Sequence, residues 1–448
     1  MKAGTKAGAA RPKLAAGFLA GATSRLLPAS IPLRYFGAAA VFHLAAWIAL
    51  GAGAAGAPRF VGGLDWPLAA LHFVTLGVLA MTAIGASLQL MPVATRQPVY
   101  STRLPAAIWW VYTAGVGVTA VGMGIGAPLW LGAGAVAVVA GLIGYGVLTA
   151  RNLAGARGMA GIVTHGWIAL ASLAVVVVSA VSLAFTYLGW PLFTRETALA
   201  LHVPFAAYGF MGMLALGLAY ILVPMFALSP APDETQVRVS AALAALALLL
   251  AGAAAFGRGY AMPLQAAALA AGAGAVALHL RLVLLALRTG MRRELGRSFR
   301  LVRIAWALMV ASLALALATV LAPDVPMLAT LFGIVLVPGW LLTLVLGMMQ
   351  RIVPFLASMH KAPGTKLPRT PSSLTADRPL AIHYACHLCA LVLLVAAAIV
   401  DSSWLALAAA AVGTLGAAAF LAFFAILVRR MRLPPAPRTA VPPTAPVA

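Results

Sequence analysis

The chain alternates long apolar runs with short polar joints. About 20 consecutive apolar residues suffice to cross the hydrocarbon core of a bilayer. Twelve runs of that kind are present, at 35–55, 67–92, 106–126, 128–150, 163–188, 197–224, 238–257, 261–288, 300–322, 327–354, 378–400 and 403–430. The pairs at 106–150 and 238–288 have few polar residues between their members and predict tight hairpins. The pattern predicts an all-α polytopic membrane protein with twelve transmembrane helices.

One of these runs is written three times. Gly77-x7-Gly85-x6-Pro92 recurs as Gly209-x7-Gly217-x6-Pro224 and as Gly339-x7-Gly347-x6-Pro354, at offsets of 132 and 130 residues. Three pseudo-repeated four-helix units follow, at about 35–150, 163–288 and 300–430, each with the marked helix second and each marked helix ending on its proline. A basic segment (1–34) precedes them, and a Pro- and Ala-rich tail (431–448) with the composition of a disordered segment follows.

Composition agrees. Of 448 residues, 63% are hydrophobic and 8% charged, against about 25% charged in soluble domains. The net charge of +22 would suggest a nucleic-acid partner in a soluble protein. Here the bases cluster in alternate joints, the positive-inside pattern, so the expected partner is the lipid bilayer and no nucleic acid. Arg25 and Arg34, Arg96 and Arg103, Arg151 and Arg157, the group from Arg288 to Arg303, and Arg429 to Arg432 all fall on one side. That side is the cytoplasm by the rule, which puts both termini inside a bacterial inner membrane. Trp66 and Trp190 suit the outer aromatic belt. No cleavage pattern follows Leu14–Ala22, so no signal peptide is expected. Two cysteines, Cys386 and Cys389, cannot form a secreted-type disulfide framework.

All eight carboxylates lie in joints or at helix ends. An intramembrane acid usually accompanies proton pumping or proton-coupled carriage, so those classes are disfavoured. The remaining chemistry belongs to eight histidines. His72 and His202 stand five and seven residues before the first glycine of their motifs, so in related units they would face one another across the bundle. Neutral imidazole ligates haem iron and copper. The plainer reading of each is a buried histidine bonded to a neighbouring backbone. His43, partway along the first run, could reach a cofactor from there. His383 and His387 are spaced i, i+4 and share a helix face, and with Cys386 and Cys389 they offer a soft donor set suited to copper or zinc. His165 and His360 read as interfacial, and His279 as a helix–helix hydrogen bond. Gln89, Tyr220 and Gln350, a turn beyond the second glycines, each need a polar neighbour.

Twelve spans in three arcs, with a histidine near the outer end of the second helix in LHFVTLGVLAMTAIGASLQLMPVATR, resemble the haem–copper oxidase subunit I superfamily, its cbb3-type members in particular. The resemblance covers about 35–430. It implies that His72 would be an axial ligand of a b-type haem and that His202 would match a copper-ligating histidine. The family's histidine pair on the seventh helix and its two on the tenth have no counterpart in 238–257 or 327–354, so oxygen reduction and proton pumping are not implied. The architecture is also similar to NnrS-type haem- and copper-containing membrane proteins, although their paired-histidine motif is lacking. The resulting expectation is a haem- or metal-binding protein serving electron transfer, nitric oxide response or support of respiratory-chain subunits. The alternative is a cofactor-free scaffold, assembly factor or transporter on the same bundle.

Overall fold

The computed structural model describes residues 25–359 and 370–433. Most of the basic N-terminal segment, His360 and the tail from 434 lie outside the described residues. The described chain is all helix, and it is an integral membrane protein: twelve helices are long and apolar enough to cross a bilayer. In order they are α1 (Ser30–Ala52), α2 (Trp66–Thr95), α3 (Arg103–Gly124), α4 (Pro128–Ala154), α5 (Ala160–Tyr187), α6 (Arg195–Ala227), α7 (Glu234–Phe256), α8 (Ala261–Thr289), α9 (Gly296–Leu321), α10 (Pro326–Ser358), α11 (Asp377–Val400) and α12 (Ser403–Arg432).

The three motif-bearing helices, α2, α6 and α10, form the centre and touch one another. They are far more buried than the nine around them. Hairpins α3–α4, α7–α8 and α11–α12 alternate with α1, α5 and α9 on the outside, and α12 packs on α1 to close the ring. We call the side where α1 begins the basic face.

The motif glycines set the spacing of each unit. A Cβ on Gly85 would fall 2.7 Å from the Cβ of Tyr35, and one on Gly77 2.6 Å from that of Phe42. In the second unit Gly217 and Gly209 meet His165 and Ser172 in the same way, at 2.8 and 2.7 Å. In the third, Gly347 meets Leu301 at 3.1 Å and Gly339 meets Leu308 at 3.5 Å. Each pair of glycines therefore receives two residues seven apart on the first helix of its own unit. Small residues that let backbones approach are how membrane helices gain packing energy when lipid supplies no hydrophobic drive.

Two features of these rods were not legible beforehand. Each contains eight π-helical residues, Phe73–Ala80, Phe205–Gly212 and Val335–Leu342, with the first motif glycine always fifth. Such widened turns are concentrated at functional sites. Moreover, the motif prolines were expected to end their helices and do not. α2 continues to Thr95, α6 to Ala227 and α10 to Ser358. In α2 and α6 the proline carbonyl closes the terminus: Gln97 N donates to Pro92 O and Ser229 N to Pro224 O, both at 3.0 Å. The intervening Arg96 and Leu228 are left-handed, with φ of 57° and 54°. That is a Schellman cap, and it places each end a fixed distance past the proline.

Candidate functional site

The second and sixth helices start on matching caps on the face opposite the basic one. Asp65 accepts from Trp66 N at 2.7 Å and Thr194 from Thr197 N at 3.3 Å. About two turns further in stand His72 and His202. The π segment begins directly after His72, at Phe73, and three residues after His202, at Phe205. Both imidazoles lie deep inside the bundle, and His202 is within electrostatic reach of His72. Both nonetheless keep partial exposure at their surfaces.

Their hydrogen bonds fix the tautomers. His72 Nδ1 lies 2.9 Å from Leu68 O, an acceptor, so it donates. His202 Nδ1 lies 3.4 Å from Ser179 Oγ, whose own proton goes to Val175 O at 2.8 Å, so it too donates. Each ring then presents an unprotonated Nε2. A committed Nδ1–H with a free Nε2 lone pair is the arrangement that holds a metal-ligating histidine in place. Five and seven residues before Gly339 of α10 stand Ile334 and Phe332, neither of which can ligate.

Donor number discriminates between guests. Among the described residues no group of three or more His, Cys, Asp or Glu is placed to hold a metal ion. A bare ion usually needs three or four protein ligands. A haem brings its own four nitrogens and needs only one or two axial donors, a number that two imidazoles could supply.

The other histidines divide into two groups. His43, expected as a further cofactor ligand, faces away from that pair. Its ring meets His383 of α11 edge-on with centroids 5.7 Å apart, and His383 stacks on His387, also at 5.7 Å. Cys386 does not join them. Its Cβ abuts Gly416 of α12, and Cys389 is exposed, so the His383–His387–Cys386 donor set does not converge. In the second unit His165 and His279 flank the Tyr220 ring at 5.5 and 5.0 Å. His165 lies buried against Gly217 rather than at an interface, with Nδ1 2.8 Å from Gly161 O. The polar neighbours required of Gln89 and Tyr220 are Leu27 N and Ser240 Oγ, at 3.2 and 3.4 Å. The Nε2 groups of Gln89 and Gln350 stay unpaired.

The meeting of His43 with His383 escaped sequence reasoning because it joins the first and eleventh spans. The only sign of it was that both belong to positions where a three-unit ring must close. The chain matches no protein-family model and no curated protein.

Proposed function

We propose that this integral membrane protein binds a b-type haem between His72 of α2 and His202 of α6, near the face opposite the basic one. The supporting observation is a pair of imidazoles deep in the bundle, mutually close, each with Nδ1 committed as donor and Nε2 free. Bound there, haem supplies one-electron redox chemistry. The chain's part is to orient the two rings through Leu68 O and Ser179 Oγ and to surround the group with apolar helices. With two imidazoles to hold it, the group would serve electron transfer rather than gas binding or oxygen reduction. The excess of arginine on the basic face supports an orientation with both termini in the cytoplasm of a bacterial inner membrane, where respiratory-chain subunits are the natural electron partners.

The test is an absorbance spectrum of protein purified from haem-replete cells, with His72→Ala and His202→Ala beside it. A Soret band in the wild type that is lost or shifted in both variants is expected. A colourless wild-type protein that does not take up added haem overturns the reading.

A transporter remains a second reading, favoured by the three π segments of the central rods, since widened turns of that kind gather at functional sites. Solute uptake into vesicles by a colourless protein would favour it.

A further inference from the structure

The seam where α12 and α11 meet α1 contains three histidines that the haem reading does not use. His43, His383 and His387 are all fully buried, and each has one ring nitrogen satisfied and one without a partner. The unpartnered atoms are His43 Nδ1, His383 Nε2 and His387 Nδ1. A buried polar nitrogen left unpaired is destabilising. With the three rings in successive contact, an ordered water or ion is the usual explanation.

The satisfied nitrogens reveal which kind. Trp47 Nε1 donates to His43 Nε2 at 3.1 Å, so that nitrogen bears a lone pair and the proton sits on His43 Nδ1. His383 Nδ1 lies 3.1 Å from Gly416 O and must donate, which leaves His383 Nε2 as a lone pair. Thr343 Oγ1 uses its one proton on Pro338 O at 3.0 Å, so it accepts from His387 Nε2 at 2.7 Å. His387 Nδ1 is then a lone pair as well. The triad thus offers two acceptors and one N–H donor. A metal ion would suit the two lone pairs but would confront the N–H of His43. That ring cannot change tautomer, because Nε2–H would oppose the Trp47 donor.

We infer that His43, His383 and His387 together hold one small neutral protic ligand, with water as its occupant. A water donates two hydrogen bonds and accepts at least one, which completes all three nitrogens. Buried waters typically make about three such bonds. The ligand ties α1 of the first unit to α11 of the third, and through Gly416 and Thr343 to α12 and α10. The first and last units are joined at this point by hydrogen bonding as well as by packing. This inference is independent of the haem site.

Solid-state nitrogen NMR of histidine-labelled protein in bilayers tests it. The expected result is three neutral rings, protonated at His43 Nδ1, His383 Nδ1 and His387 Nε2, with exchangeable water cross-peaks to the two unprotonated nitrogens. His43→Phe is expected to lose those cross-peaks, and His43→Asn, which keeps an N–H donor, to retain them. Should His43→Phe fail to fold, the wild-type and His43→Asn spectra decide the matter. Shifts of metal-bound nitrogen with stoichiometric metal, or folded protein without water contact at these rings, would overturn it.

Discussion

A Cβ atom placed on Gly217 of α6 would stand 2.8 Å from the Cβ of His165 on α5, closer than two such carbons can approach. The same contact recurs between Gly85 and Tyr35, so two quite different side chains use one packing position. The bundle's spacing is set by the missing side chain on the central rod, and the identity of its partner is left free.

Gly217→Ala is therefore expected to push α5 from α6 and to cost about 1–3 kcal/mol through overpacking. Gly117→Ala in α3, where nothing lies within 4 Å, should be neutral or stabilise by up to about 1 kcal/mol through helix propensity. Thermal unfolding of the two variants in detergent checks the contrast. Equal effects would remove the glycine contact from the account.

Ser179 lies 3.4 Å from His202 Nδ1 and accepts from it, beside a second, backbone partner at Val176. Ser179→Ala removes the first partner and leaves only the Val176 backbone to hold the ring. Partners of this kind typically contribute about 10–100-fold to ligand affinity, so haem retention should fall by that order while the fold persists. Ser182→Ala, one turn along and bonded instead to Phe193 N, should leave haem retention unchanged. Titration of added haem into the apoprotein measures both.

Asp401 ends α11 in the left-handed region, with φ of 53°, and its carboxylate pairs with the exposed Arg59. Asp is one of the few non-glycine residues that visit that region, and an exposed ion pair contributes about 0–1 kcal/mol. Asp401→Gly should therefore leave the melting temperature nearly unchanged. Asp401→Ala should lower it, because a plain β-carbon is strained there and the pair is lost. Equal effects of the two would remove the left-handed cap from the account.

How far the protein could be read from its residues depends on what kind of information each feature carries. Twelve spans and the three-fold glycine spacing follow from local facts: runs of apolar side chains and a repeat in register. The positions of Pro92 and Pro224 were equally visible, but not their use as carbonyl acceptors in a cap, since that depends on the backbone beyond them. His43 and His383 lie 340 residues apart, and only closure of the ring between α12 and α1 brings them together. Cys386 and His387 are neighbours in the chain yet face different helices, one against Gly416 and the other toward Thr343. A membrane helix is apolar all round, so its composition does not reveal which side turns inward. That rotation is decided by how the surrounding helices pack, and with it which imidazoles meet.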